Sequence, residues 1–166
     1  DSDCILRPGS YRVNPLDGGY MVLCEVFKAD GKTPHKSNTR ALLRAVQDRH
    51  ELQYCLFGFE QEYTFMKSGR PLGWPKVGYP PPQGPFYCGV GADNAFGRDI
   101  VNDHLDTCLD AGIQIGGINA EVMPGQWEFQ IGPHDGLRTS DDLIYARYLL
   151  YRIGENYGTS VSLDPK

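Results

Sequence analysis

Residues 20–27 are apolar and partly β-branched, which predicts a strand, and the polar stretch 28–36 that follows reads as a linker. Ser37 can cap a helix running to about residue 50, with Ala41, Leu42, Ala45 and Val46 on one face. Residues 55–66 have strand character. At a period of two, Cys55, Phe57, Phe59, Tyr63 and Phe65 share one face, and Leu56, Gly58, Glu60, Glu62 and Thr64 share the other. Two carboxylates thus point the same way. Residues 92–111 read as an amphipathic helix with Phe96, Ile100, Val101, Leu105, Cys108 and Leu109 inward and Gly112 at its end. A further helix starts near Thr139, which with Asp142 forms a T-x-x-D capping pattern, and ends before Gly158. The strand-like run 159–163 has no visible partner. Strands and helices alternate, which gives an α+β or α/β class with no internal repeat.

Residues 70–91 hold most of the prolines and many of the glycines and predict a long loop. Its aromatics, Trp74, Tyr79, Phe86 and Tyr87, favour an ordered one. A length of 166 residues fits about one domain, and 40% hydrophobic with 22% charged residues describes a globular chain rather than a disordered one. The net charge of −5 argues against a nucleic-acid footprint or a polybasic membrane patch, and directs attention to small solutes and metal cations. No run approaches the roughly 20 apolar residues of a bilayer span, and the first residues lack a signal core. Five dispersed cysteines without a C-x-x-C pair favour reduced thiols in a cytoplasmic setting. The chain starts without Met and stops just after a strand-like run, so we expect a fragment.

The chemistry concentrates in residues 119–133. In one uninterrupted strand Glu121 and Glu128 would face opposite sides. Pro124-Gly125 suits the centre of a turn, so a hairpin is expected that pairs Met123 with Gln126, Val122 with Trp127 and Glu121 with Glu128. Directly opposed Cβ atoms lie about 4.5–5.5 Å apart, where like charges destabilise a sheet. A divalent cation resolves that conflict, and carboxylates without nearby His or Cys suit Mg²⁺ or Mn²⁺. If the strand bearing Glu60 and Glu62 joins the same sheet, four carboxylates converge, enough for two metals on phosphate oxygens. A hairpin with one charged, wet face is the commoner arrangement, and spacing alone leaves both readings open.

Other signals are weaker. Gly89-Val-Gly91 lacks the full dinucleotide fingerprint and reads as close backbone packing; Pro80-Pro-Pro82 reads as a rigid segment. The four histidines show no ligand spacing, and Arg98 with Asp99 reads as a structural pair or cap.

The same residues carry a resemblance. Segments 57–63 (FGFEQEY), 72–75 (LGWP), 84–93 (GPFYCGVGAD), 97–101 (GRDIV), 119–133 and 164–166 (DPK), in this order, resemble glutamine synthetase of the eukaryotic type over nearly the whole chain. The resemblance implies an antiparallel sheet with flanking helices, an α+β fold, with residues 1–36 the end of a small β-grasp domain and 37–166 the first part of the catalytic domain. It implies ATP-dependent joining of ammonia to the γ-carboxylate of L-glutamate with Mg²⁺ or Mn²⁺. Glu62, Glu121 and Glu128 would hold the metal at the glutamate side, Glu60 would help hold the metal on the ATP phosphates, and Glu128, Phe129, Gln130, Ile131, Gly132 and Pro133 would line the nucleotide. It further implies a ring oligomer, a decamer of two pentamers, with no nucleic-acid or membrane partner. Leu56 departs from the Trp usual there, which removes an aromatic contact to the nucleotide. A γ-glutamyl-amine ligase of the same fold and a non-catalytic relative are the rival readings.

In the family, a further metal-binding His and Glu and the phosphate-binding arginines lie downstream of the part resembled here. The chain alone is therefore expected to be inactive; ATP- and ammonia-dependent glutamine formation by the isolated polypeptide would overturn that.

Overall fold

The structure, a computed structural model, describes residues 3–49, 52, 54–82 and 84–164. His50, Pro165 and Lys166, touched on by the helix end and terminal motif above, lie outside them. Strands β1 (Ile5–Val13) and β2 (Tyr20–Phe27) form an antiparallel two-stranded sheet with a bulge between Pro8 and Ser10. β2 has the bounds expected. β1 is an element that the sequence reading lacked, because Pro8-Gly9 reads as a breaker; both sit at the bulge, where a strand tolerates them. The polar stretch after β2 folds back on it: Lys28 N–H bonds to Thr33 O, His35 N–H bonds to Val26 O, and Phe27 pairs with Pro34.

Helix α1 (Thr39–Gln47) is capped by Asn38 and not by Ser37; the Asn38 side chain accepts from Ala41 N–H at 3.1 Å, while Ser37 bonds to the His35 ring. The apolar stripe expected on one face leaves Leu42 and Val46 exposed among the described residues. Other residues tie it down through polar contacts: Gln47 donates to Asp135 and accepts from Leu137 N–H, both at 2.9 Å. Arg40 pairs with Glu25 on β2 at 2.8 Å and with Asp141 at 2.9 Å, and Arg44 also pairs with Glu25.

The main sheet is antiparallel, in the order β4 (Arg70–Pro71), β3 (Phe57–Lys67), β6 (Gln126–His134), β5 (Ile115–Ala120). β7 (Ser160–Ser162), the run that lacked a partner on sequence grounds, pairs with β3. Helices α2 (Arg98–Asp110) and α3 (Gly136–Asn156) pack against it. The core lies between: Tyr63 and Phe65 from β3, Trp127, Phe129 and Ile131 from β6, Ile100, Val101 and Cys108 from α2, and Tyr145, Ala146, Leu149 and Leu150 from α3. These strand residues all occupy odd positions, so the even positions, Glu60, Glu62, Glu128 and Gln130 among them, belong to the opposite face.

Both helices start elsewhere than the pattern implied. Gly97, at φ 89°, opens α2 six residues later than expected, Leu109 turns outward, and His104 takes an inward position instead. Asp135 caps α3, its side chain accepting from Arg138 N–H at 3.0 Å. Thr139 is consequently interior and buried, its hydroxyl donating to Phe57 O, and buried Asp142 binds Arg12 of β1 and Arg138. The Tyr145 hydroxyl accepts from Leu23 N–H and contacts Ser10, a further tie between the small sheet and α3. The long loop is ordered, with Trp74 edge-on to Tyr79 and Arg70 donating to the carbonyls of Pro75 and Gly78. None of the described helices is long and apolar enough to cross a membrane.

His104 is buried beside Phe129, with Nε2 2.9 Å from Ala146 O, and burial lowers its pKa to about 4. An unfolded chain takes up that proton near pH 6.5 and the fold does not. Stability is thus complete above pH 6.5 and falls as pH drops toward about 4, by roughly 3 kcal/mol. Comparing urea midpoints of wild type and His104→Gln between pH 7.5 and pH 4.5 checks this: the variant should lose less stability on acidification.

Candidate metal centre

The β3–β6 register sets Glu62 directly opposite Glu128 and Glu60 opposite Gln130, while the β5–β6 register sets Asn119 opposite Glu128. Gln126 N–H closes a turn on Met123 O at 3.0 Å, with Pro124 and Gly125 at its centre as expected and Gly125 at φ 78°. A turn of this hand does not follow the twist of paired strands. Val122 and Met123 therefore leave the ladder, and Glu121 N–H bonds to Gln126 O at 2.9 Å. This corrects the expected pairing: Glu121 lies across from Gln126, and Glu128 across from Asn119. The register differs by two residues, which preserves the face of every side chain. Gly125 is required twice over, since a Cβ there would sit 2.6 Å from Leu72 O.

Three strands' worth of sequence thus delivers one cluster. Carboxylate oxygens of Glu62, Glu121 and Glu128 all lie within 4.8 Å of one another. Glu121 and Glu128 are buried and Glu62 is half-buried. Glu60 occupies the same face but is exposed and outside this trio. Amide side chains brace the oxygens. Gln126 Nε2 donates to Glu62 Oε2 at 2.6 Å, Asn119 Nδ2 to Glu121 Oε1 at 3.4 Å, and the Gln130 amide to both Glu128 and Asn119 Oδ1. Val122 N–H adds a bond to Glu121.

Burial pushes the Glu128 carboxyl above its usual range; the Gln130 bond opposes this, and repulsion from Glu60, Glu121 and Glu62 adds to it. The phenol of Tyr87 on the loop before α2 is also pushed up, first by the Cys88 thiol and then by Glu121. Cys88 N–H bonds to Ala120 O, fixing this loop beside the cluster. Oxygen-only donors at such spacing, held by neutral amides, suit a hard divalent cation.

Beside the cluster lies an open groove of about 670 Å³ lined by Gly58, Phe59, Glu60, Gly116, Gln130, Ile131, Gly132 and Pro133. Of the residues expected to line a nucleotide, Gln130, Gly132, Pro133 and Ile131 border this groove. Phe129 does not: its side chain is fully buried in the core, as strand alternation requires. Gly89 packs as expected, a Cβ there meeting the carbonyls of Pro85 and Phe86 at 2.8 Å. Arg98 donates to Gly89 O and lies over the Trp127 ring, so it braces this loop against the sheet. His134 contacts Asp135 at the start of α3. The sequence reading passed over Gln126 and Asn119. The signal for Gln126 was present, since Gln126, Glu128 and Gln130 alternate along one strand, whereas Asn119 comes from β5 and joins them through the β5–β6 register.

The model of the family "Glutamine synthetase, catalytic domain" matches residues 36–166. The chain is 58% identical to a glutamine synthetase of Streptomyces viridochromogenes, over 99% of this chain and 48% of that protein. It is 52% identical to a chloroplastic glutamine synthetase of Chlamydomonas reinhardtii and 50% identical to the glutamine synthetase of Mus musculus, in both cases over 100% of this chain and 45% of the relative. The chain therefore spans about half the length of these relatives. A solved structure described as a GmaS/ADP complex shares the fold with a TM-score of 0.75 at 19% identity, over 100% of this chain and 38% of that one.

Because burial and like charges oppose ionisation of Glu128, its charge destabilises the cation-free fold as pH rises through its raised pKa. Glu128→Gln should raise the cation-free thermal midpoint at pH 7.5 by about 1–3 °C and reduce the further rise that Mn²⁺ produces in wild type. Differential scanning fluorimetry with and without Mn²⁺ reads both, and the cation-free gain should vanish at acid pH.

Proposed function

We propose that this chain, which belongs to the glutamine synthetase family, carries the metal-binding carboxylates of an ATP-dependent glutamate–ammonia ligase. The observation that carries the reading is the meeting of Glu62, Glu121 and Glu128 within 4.8 Å from separate segments of one sheet. Their donor set fits Mg²⁺ or Mn²⁺: three carboxylates, two of them buried, braced by amides and spaced so that one ion can touch all three. When bound, the ion supplies neutralisation of phosphate charge and alignment of donor with acceptor.

In this reading Glu62, Glu121 and Glu128 would hold the cation on the glutamate side, and Glu60, at the border of the groove, would help hold the ion that accompanies the ATP phosphates. Gly58, Gly116 and Gly132 line the groove, and Gly132, whose Cβ would meet Phe57 O at 2.7 Å, lets the strands beneath it approach closely. Gln130, Ile131, Gly132 and Pro133 border the nucleotide. The γ-carboxylate oxygen of glutamate attacks the γ-phosphorus of ATP, the bond to the β-phosphate oxygen breaks, and ADP leaves. Ammonia then attacks the acyl carbon of γ-glutamyl phosphate, loses a proton and expels inorganic phosphate, giving glutamine. The two-stranded sheet belongs to the small N-terminal domain, and the full-length protein is a cytoplasmic ring oligomer, a decamer, in the same reading. Leu56 is exposed, so no packing role competes with the view that it replaces an aromatic contact to the nucleotide.

In the full-length protein, Glu121→Ala and Glu128→Ala should each weaken Mn²⁺ binding and lower glutamine formation on the order of 100-fold. Isothermal titration with Mn²⁺ and amine-dependent phosphate release check this. Unchanged Mn²⁺ affinity in both variants would defeat the assignment, and phosphate release driven by alkylamines but not by ammonia would replace the acceptor.

A further inference from the structure

On the acidic face of the sheet, side chains from three strands stand in rows. Gly117, Gln130 and Glu60 lie opposite one another across β5, β6 and β3, and Asn119, Glu128 and Glu62 do so in the next row. Amides and carboxylates therefore alternate as neighbours, and two of the amides are bonded to each other. Gln130 Nε2 donates to Glu128 Oε1 and, at 2.8 Å, to Asn119 Oδ1. Asn119 Nδ2 carries the chain on to Glu121 Oε1 at 3.4 Å.

The direction of this chain is forced. An ionised carboxylate only accepts, so the amide beside it must present its N–H. Turning Gln130 over would set its carbonyl oxygen against Glu128, and turning Asn119 over would set its own against Glu121. Both hydrogens of Gln130 Nε2 are thus committed, and its Oε1 takes the place of a missing side chain: a Cβ on Gly117 would lie 2.7 Å from it. Outside its chain neighbours, the atoms that such a Cβ would meet among the described residues all belong to Gln130. Gly117 is not one of the glycines with a left-handed backbone, so the room it leaves, and not its conformational freedom, is what it contributes here.

We propose that Gln130 and Asn119 are positioning residues of the cation site, linking Glu128 to Glu121 so that both carboxylates keep a ligating orientation, and that Gly117 is the vacancy this link requires. Without the link two anionic side chains would swing apart, and drawing them back would be subtracted from the free energy of binding the ion. The inference rests on the reading of Glu62, Glu121 and Glu128 as cation ligands.

The test titrates the full-length protein with Mn²⁺ alone, without nucleotide, and follows the ion by electron paramagnetic resonance, whose line shape reports the symmetry of its ligands. Gln130→Ala should weaken Mn²⁺ about 10-fold or more and alter the spectrum of the bound ion. Gly117→Ala, which touches no carboxylate, should weaken it in the same way by displacing the Gln130 amide. In the double variant nothing is left to displace, so affinity should equal that of Gln130→Ala within about twofold. Losses that add in full would mean that the glycine substitution damages the strand and not the link, and would overturn the proposal. Wild-type affinity and spectrum in Gln130→Ala, while Glu128→Gln loses Mn²⁺, would overturn it and leave the carboxylate site standing. Retention of Mn²⁺ by Glu128→Gln as well would overturn both. Should Gly117→Ala fail to fold, Asn119→Ala takes its place in the cycle: its loss should combine less than additively with that of Gln130→Ala, and full additivity counts against the link.

Discussion

The mutual repulsion of three carboxylates is the constraint around which this structure is arranged. Glu62 and Glu128 face each other directly across a strand pair, and Glu121 joins them from the end of β5, at the hairpin that leads into β6. Opposed like charges weaken a sheet and burial makes it worse. The fold tolerates the arrangement because its other face is a dense hydrocarbon core and because Gln126, Gln130 and Asn119 bond to the charged oxygens. Packing on one side of β3 and β6 thus sustains charge density on the other.

That division follows from the two-residue period of a strand. In β6, Trp127, Phe129 and Ile131 enter the core while Gln126, Glu128 and Gln130 serve the opposite face. A one-residue slip would exchange the two sets, so the apolar residues hold the acidic ones in register. The turn at Pro124-Gly125 makes the same point from the other direction. It sits against Leu72 with no room for a side chain, which ties the hairpin tip to the start of the loop after β4.

Much of this was legible in the sequence, and the failures have local causes. The alternation in residues 57–66 and the Pro-Gly turn were enough to bring the glutamates to one face, because both depend only on neighbouring residues. The pairing of Glu121 with Glu128 was misjudged because the sequence shows a turn but not how many flanking residues leave the ladder. The α1 helix was given the wrong face because polar residues hold it, Arg40 and Arg44 through ion pairs to Glu25 and Asp141 and Gln47 through hydrogen bonds to Asp135 and Leu137. Residues so distant in sequence announce their pairing through no period. The cap at Asp135 was hidden by the more conspicuous T-x-x-D pattern, whose Thr139 and Asp142 turned out to be buried and bonded elsewhere.

Helix α3 follows directly on the strand that carries Glu128, and its first turns also receive Arg12 and Arg40, one from β1 and one from α1. Asp142 is sealed from solvent between Arg12 and Arg138, one arginine on each carboxylate oxygen, so removing both would leave a charge in a poor medium for it. The small sheet is therefore not a pendant that can swing freely. It is riveted to the same helical post that follows the acidic strand, so the two share one support.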